Sequence, residues 1–287
     1  MIITYNFLRR FDCLGEHVQQ PKSHEIILKS NSTQRAAKAE RPVAGIEEFR
    51  RVPLLKSLTE HQLNAVVGKC EVRSFRARAH VMADTDFPQR VGFVLEGACR
   101  LVALAPNGAN ITMRTLRLGD SLGLPAAVLN HSWGGDLVHH VTRLVADDAT
   151  TLALMKQSDF RALLMESPSL CRAACEAACA IQLELSSRFY ELATLDVRGR
   201  LLAELMRMAV RGERINGRIT LSAAPTHAEL GDQIGAAREA VTRQLLELER
   251  ESVISVRRRE IVIEDYERLQ QLDEATAGRR IFVYPQS

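Results

Sequence analysis

The chain has 287 residues, 46% hydrophobic and 25% charged, the balance of an ordinary globular protein, which excludes collagen-like, disordered and purely coiled-coil classes. At about 100–200 residues per domain the length fits two domains or one domain with appendages, and no run approaches about 18 consecutive apolar residues, so no transmembrane helix is expected. Lys and Arg number 38 against 35 Asp and Glu, a net charge of +3 that the seven basic and four acidic residues of 1–45 already supply, so a case for a polyanionic partner has to be local.

Residues 1–45 read as a disordered N-terminal extension rich in Gln, Ser, Lys and Ala, with a short ordered piece at Ile2–Leu8. Met1–Phe11 has no long apolar region and no small-residue cleavage site, so a signal peptide is not expected and the cytoplasm is the expected location. Residues 46–68 read as helical, with Phe49, Leu54, Leu58 and Leu63 as apolar positions and Thr59 and Gln62 in a capping-box pattern. From Cys70 to Met155 short strand-like runs follow: Val72–Phe75, His80–Met82, Val91–Leu95, Cys99–Leu104, Ile111–Leu116 and Thr151–Met155. Turn signals at Glu96-Gly97, Pro106-Asn-Gly108, Gly119-Asp120 and Asp147-Asp148 separate them, the texture of an antiparallel barrel or roll. Helical texture returns at Ser158. Pro168 ends a short helix, and Ser169 is positioned to cap a long one reaching about Leu195. Leu170, Ala174, Ala177, Ile181, Leu185, Phe189 and Leu192 form an apolar stripe along it, with Arg172/Glu176 and Glu184/Arg188 as ion pairs on the exposed side. A second copy of the same helix is the economical partner for that stripe, which predicts a homodimer.

Asp196 caps a helix over Val197–Val210, a short strand follows at Arg218–Leu221, and Thr226–Leu248 splits into two helices around Ile234-Gly235. This is helix-turn-helix spacing. Thr226 and Glu229 form a capping box, Gly235 sits at the sharp turn, and Val241, Leu245 and Leu248 anchor the second helix. Arg238, Glu239, Thr242 and Arg243 are left on an outer face near the helix N-terminus, where a recognition helix meets base edges. Arg pairs bidentately with guanine and Glu accepts from cytosine N4. Ile254–Val256 and Ile261–Ile263 read as a two-stranded wing whose tip, Arg257, Arg258 and Arg259, suits phosphate contact. An amphipathic helix pair with a solvated charged face is the plain alternative, but it leaves the basic wing unexplained.

From about Phe49 to Leu272 the chain resembles the Crp/Fnr family of bacterial transcription regulators. The resemblance rests on Val52-Pro53-Leu54-Leu55, Val94-Leu95-Glu96-Gly97, Leu118-Gly119-Asp120-Ser-Leu-Gly123, Asp196-Val197-Arg198-Gly-Arg200-Leu201 and, most specifically, Arg238-Glu239-x-x-x-Arg243. It implies an α+β chain: a disordered extension (1–45), a cyclic-nucleotide-binding-type β-roll sensor (46–168), a dimerisation helix (169–195), a winged helix-turn-helix (196–275) and a C-terminal tail (276–287). It further implies a dimer on double-stranded DNA with a GTGA-like inverted repeat. Arg238 and Arg243 would lie on guanines and Glu239 on cytosine, and RNA polymerase would be a partner if the protein activates. Where the Fnr branch carries Glu-x-x-Ser-Arg, Thr242 replaces the Ser.

The sensor departs from the family pattern. Members that bind cAMP resemble Gly-Glu-Leu followed by Arg-Ser/Thr-Ala, whereas here Gly123 precedes Leu124-Pro125 and His140-Val141 falls where the Arg-Ser pair is expected, with Arg143 nearby. An effector pocket would draw on Gly119, Gly123, Leu124, His140 and Arg143, without cAMP in its usual mode. No cofactor is named by the sequence. Cys13 stands alone in its tail, so an N-terminal iron–sulfur cluster is not supported, and no metal spacing such as C-x-x-C occurs. Cys171, Cys175 and Cys179 recur every four residues, reading either as a redox or soft-metal row or as small apolar residues in an Ala-rich helix. His131, His139 and His140 read as solvated imidazoles in a polar loop rather than haem ligands. No G-x-S-x-G, P-loop, H-E-x-x-H or Rossmann pattern is present, so no enzyme is expected. The competing class is a cyclic-nucleotide-binding-like signalling subunit acting on a protein partner, which leaves Arg238, Glu239 and the wing arginines without a role.

Overall fold

The computed structural model describes residues 44–82, 89–104, 110–129, 142–222 and 224–277. The N-terminal extension with Ile2–Leu8 and Cys13, the loop carrying His131, Trp133, His139 and His140, and the last ten residues lie outside them.

The expected first helix is broken by Pro53 into α1 (Ile46–Arg50), a 3-10 turn (Pro53–Leu55) and α2 (Glu60–Lys69). The capping box opens α2: the Gln62 N–H donates to Thr59 Oγ1 at 3.3 Å, and the Thr59 N–H donates to Gln62 Oε1 at 3.0 Å. Eight strands follow: β1 (Glu71–Phe75), β2 (His80–Met82), β3 (Arg90–Glu96), β4 (Ala98–Leu104), β5 (Asn110–Arg117), β6 (Ser121–Leu122), β7 (Thr142–Ala146) and β8 (Thr150–Lys156). They form two antiparallel four-stranded sheets, ordered β1-β8-β3-β6 and β2-β7-β4-β5. Each run anticipated from the sequence is a strand; β6, β7 and the short helix α3 (Leu124–Leu129) are additions.

The period of two explains why β3 and β8 are apolar throughout. Val94, Leu152 and Leu154 face the core between the sheets, together with Leu116, Leu122 and Leu144. Val91, Phe93, Leu95, Ala153 and Met155 face the opposite way, into a second core built with Phe49, Val52, Leu63, Phe160 and Leu170 from the helices. A strand buried on both faces carries no polar alternation.

The helices α4 (Gln157–Glu166) and α5 (Pro168–Thr194) close the roll. The cap of α5 is Ser167 rather than Ser169: Ser167 Oγ accepts from the Leu170 N–H, and Pro168 occupies the first helical position, where its missing N–H costs nothing. The apolar stripe of α5 also has a different destination from the one expected. Leu170, Ala174, Ala177 and Ile181 pack on the roll's own core. The face left open carries Cys175, Cys179, Leu183 and Phe189, with Leu183 54% and Phe189 74% exposed.

Arg172 and Glu176 pair at 3.9 Å on the surface as expected, but Glu184 and Arg188 do not lie on the exposed side. They belong to a half-buried ionic chain. Arg114 of β5 bonds Glu184 at 3.1 Å, Glu184 meets Arg188 at 3.8 Å, and Arg188 meets Glu204 at 3.7 Å. Arg207 then bridges Glu204 and Glu191, each at 2.7 Å. Glu204 and Arg207 lie on α6 (Val197–Ala209), so the chain of charges ties the roll to α5 and α5 to the C-terminal domain.

That domain continues with β9 (Glu213–Ile215), β10 (Arg218–Ser222), α7 (His227–Ile234), α8 (Arg238–Arg250), β11 (Ile254–Arg257), β12 (Glu260–Ile263) and α9 (Tyr266–Ala277), with sheet order β11-β12-β10-β9. One core holds it: Leu201, Leu205, Ile219, Leu230, Ile234, Val241, Leu245, Leu248, Ile261, Ile263 and Leu269.

Burial alone would raise the Glu204 pKa, yet the charges of Arg207 and Arg188 and the hydrogen bond from Arg207 hold it below the ordinary glutamate value. Its contribution is therefore fully present above the unfolded-state pKa and is lost as pH falls through the lower folded one. Glu204→Gln leaves buried arginines without their counter-charge and is expected to cost about 3 kcal/mol in urea unfolding at neutral pH. The gap between wild type and variant should narrow as the medium is acidified below the ordinary glutamate range; a gap that widens there would contradict the assignment.

Candidate nucleic-acid interface

The site is built on the turn between α7 and α8. Thr226 Oγ1 accepts from the Glu229 N–H at 3.3 Å, and Glu229 Oε2 accepts from the Thr226 N–H at 2.7 Å, the reciprocal cap expected from the sequence. Gly235 ends α7 at φ 62°, ψ 46°, the left-handed conformation that costs residues with a Cβ about 1–2 kcal/mol. A Cβ there would also sit 3.0 Å from Leu192 Cδ2, so the turn lies close against the end of α5. Gly231 is needed as well, because a Cβ would stand 2.5 Å from the Ala236 carbonyl oxygen.

Val241, Leu245 and Leu248 are buried and fix the rotation of α8. Arg238, Glu239 and Arg243 then project from its exposed side, spread over about 140° of arc at 100° per residue, and none has an ion-pair partner among the described residues. Thr242 is placed differently from the outer position expected for it. It is half-buried, donates its hydroxyl hydrogen to the Arg238 carbonyl at 2.9 Å and lies 2.8 Å from His227 Nδ1. With that hydrogen committed, the Thr242 oxygen accepts from His227, and the pair stitches α8 to α7.

The family-like motif at the head of α6 acts as scaffolding for this turn. Asp196 Oδ1 caps the helix through the Gly199 N–H at 2.8 Å. Arg198 grips Glu251 at 2.7 Å and Glu247 at 3.5 Å, and Arg200 donates to the Leu195 and Gly235 carbonyls at 3.0 and 3.4 Å. A Cβ on Gly199 would stand 2.7 Å from Thr276 Cγ2, which is why α6 and α9 approach so closely. Glu249 accepts from the Val256 N–H at 2.7 Å. The acidic run of α8 is thereby consumed inside the domain instead of facing a polyanion.

The wing strands pair from Ile254 with Ile263 to Arg257 with Glu260, leaving Arg258 and Arg259 as the two-residue tip. All three tip arginines are exposed. Arg257 meets Glu260 at 3.5 Å. Arg259 adopts φ 58°, its carbonyl accepts from the Ala224 N–H at 2.9 Å, and its side chain lines a cleft against the roll. Across that cleft Arg100 of β4, 8% exposed, bonds Asp147 at 2.5 Å and reaches Glu229 at 3.6 Å. Burial pushes the Asp147 carboxyl up, against the pull of Arg100.

Of the expected effector residues, four lie among the described ones. Gly119 and Gly123 have φ of 88° and 76°; a Cβ on Gly123 would lie 2.2 Å from the Arg90 carbonyl oxygen, and one on Gly119 would press on Pro53. Leu124 is fully buried at the head of α3. These three serve the first sheet and the helical layer, whereas Arg143 lies on β7 of the second sheet, and His140 is outside the described residues. Of the thiols, Cys171 is half-buried against the roll core while Cys175 and Cys179 are exposed. The Cys175 thiol is pushed above its ordinary value, by desolvation and then by Cys171, the opposite of an activated thiolate. Burial pushes Cys70 and Cys99 up to about 12. No metal-binding group of three or more His, Cys, Asp or Glu occurs among the described residues, and no helix among them is long and apolar enough to cross a membrane.

Two family models match this chain, a cyclic nucleotide-binding domain over residues 72–167 and a Crp-like helix-turn-helix domain over residues 199–272. The cAMP-activated global transcriptional regulator CRP of Escherichia coli O6:H1 is 22% identical over 213 residues, covering 72% of this chain and 96% of that protein. Among solved structures, FixK2 from Bradyrhizobium japonicum superposes with a TM-score of 0.59 at 21% identity, covering 71% of this chain and 97% of that one. TTHA1359 from Thermus thermophilus, a transcriptional regulator of the CRP/FNR family, does so with a TM-score of 0.56 at 26% identity, covering 72% and 100%. A cyclic-nucleotide-binding-type roll, a long helix and a Crp-like winged helix-turn-helix follow one another in this chain, which belongs to the Crp/Fnr family of DNA-binding transcription regulators and is not an enzyme.

Proposed function

We propose that the protein is a cytoplasmic homodimer that reads an inverted-repeat DNA site with two copies of α8, under the control of a signal other than cAMP bound in the usual mode. The observation that carries the reading is the trio Arg238, Glu239 and Arg243. These charged side chains share one exposed arc of a helix whose other side is locked in the core, and no group among the described residues claims them. Arginine forks fit guanine O6 and N7, and a carboxylate fits the cytosine amine, so a GTGA-like half-site is the matching sequence. Arg258 at the wing tip is placed for phosphate.

The dimer is supported by the open face of α5. Leu183 and Phe189 are large and exposed, and with Cys175 and Cys179 they span about 120° of the helix surface, an arc that a second copy of the helix would cover. Ile181 and Leu185 serve less well as probes of the dimer, because Ile181 packs on the roll. The reading against cAMP is supported by Leu124: it is fully buried directly after Gly123, where cAMP-binding members resemble Gly-Glu-Leu, so no carboxylate stands there for a ribose hydroxyl.

Randomised-site selection tests the DNA reading. Wild type is expected to enrich an inverted repeat with half-sites about one helical turn apart. Arg238→Ala should weaken the selected site by about 1–3 kcal/mol and relax preference at one base position. Arg258→Ala should weaken all sequences alike and reduce the salt slope by about one. An unchanged sequence preference in Arg238→Ala would remove α8 from the role of reader.

Sedimentation tests the dimer. Wild type should run as a dimer at micromolar concentration, and Leu183→Lys combined with Phe189→Lys should run as a folded monomer with retained circular dichroism and lost affinity for the full repeat. A monomeric wild type would refute the dimer outright.

A further inference from the structure

The cleft between the roll and the winged helix has a volume of about 420 Å³, within the range of small-molecule sites. Its charged lining sorts into two sets. The carboxylates beside the roll are already engaged. Asp147 bonds Arg100, Asp148 accepts from the Ala98 N–H at 2.7 Å and from the Thr150 hydroxyl, and Glu229 holds the Thr226 N–H and faces Arg100. Only Glu213, exposed at the rim, is a carboxylate of the lining without such a bond among the described residues.

The cations are not matched in the same way. Arg117 ends β5, Arg211 follows α6, and Arg259 tips the wing; all three line the cleft, and none has an ion pair within 4 Å among the described residues. The Nε of Arg117 is buried with no hydrogen-bond acceptor. Desolvation and then the Arg211 charge lower the Arg117 pKa, opposed by Glu204, Asp147 and Asp120. Three guanidinium groups without an ion-pair partner among the described residues line one ligand-sized space, a lining that suits an oxyanion.

We propose that this cleft binds a small organic phosphate, gripped by Arg117 from the roll and by Arg211 and Arg259 from the DNA-binding domain. A dianion in the cleft neutralises the Arg117–Arg211 repulsion. Because the grip comes from both domains, occupancy fixes how α7 and the wing sit on the roll, and the site couples to DNA. The binding site stands independently of the base-reading assignment above; only the coupling to DNA rests on that reading.

Titration calorimetry of the full chain with inorganic phosphate, at constant ionic strength in a phosphate-free buffer, tests the site, with malonate as the carboxylate comparison. Phosphate should bind more tightly than malonate. Arg117→Gln and Arg211→Gln should each weaken it about tenfold, the value of one charge-assisted contact. Arg211 is exposed beyond the helix end, so its variant remains folded even if Arg117→Gln does not. Undetectable phosphate binding, or affinity unchanged in Arg211→Gln, overturns the site. Tighter binding of malonate overturns the phosphate assignment, and loss of affinity in Arg143→Gln with Arg211→Gln unaffected relocates the ligand to the roll's own interior. In the second arm, phosphate should shift affinity for the selected DNA, and DNA should shift phosphate affinity by the same factor. Phosphate binding without that reciprocal shift overturns the coupling and leaves the site standing. Failure of the base-reading assignment would show instead in the Arg238→Ala selection, with the calorimetry unaffected.

Discussion

The carboxylate of Glu204 is buried among guanidinium groups, and the arrangement of the two domains depends on that enclosure. Arg207 and Arg188 converge on it from α6 and α5, Glu191 shares Arg207, and Glu184 passes the connection to Arg114 on β5. A buried ion pair contributes little net stability relative to an apolar replacement, but a broken one is expensive. Such a chain therefore penalises wrong geometries more than it rewards the right one. Apolar cores in the roll and the winged helix make each domain fold; the ionic chain specifies the angle at which α5 hands over to α6. Through this chain Arg114, in the roll, is linked to the first helix of the winged helix-turn-helix domain.

Much of this was legible in the sequence, for reasons that differ by element. The α7 cap, the Gly235 turn and the wing register are local devices, set by residues within a few positions of each other, and they stand where spacing put them. The strands of the roll were legible for the same reason. The cap of α5 was misplaced by two residues because Ser167 and Ser169 both flank Pro168, and only the backbone distinguishes a cap from a first-turn serine. The stripe on α5 divides in a way its spacing does not announce. Periodicity reports that a face is apolar, but not whether the neighbour that covers it belongs to the same chain. Here the upper stripe is covered by the roll, whereas its lower members Phe189 and Leu192 stay exposed, together with Leu183 outside it.

Charge was the least legible property. Glu247, Glu249 and Glu251 sit close to a DNA-reading helix and look adverse in a linear reading, yet Arg198 and the Val256 amide occupy them. Arg257, Arg258 and Arg259 look equivalent as a triplet, yet one pairs with Glu260, one is free at the tip and one turns to the roll. Partners far along the chain decide most of these fates, and no short window on the sequence spans them. The glycines of the sensor have local requirements of their own: a Cβ on Gly123 would meet the Arg90 carbonyl and one on Gly119 would meet Pro53.

The two helices of the DNA-binding turn begin differently. Thr226 and Glu229 close the N-terminus of α7 with their own side chains, whereas α8 starts at Ala237 with no side-chain cap. The first turn of α8 thus holds amide hydrogens that only water satisfies in the free protein. The charge beside the positive end of its dipole is that of Glu239, in the same first turn. That uncapped turn is the one that carries Arg238 and Glu239, so amide exchange there should report occupancy of that end more directly than it reports the stability of the fold.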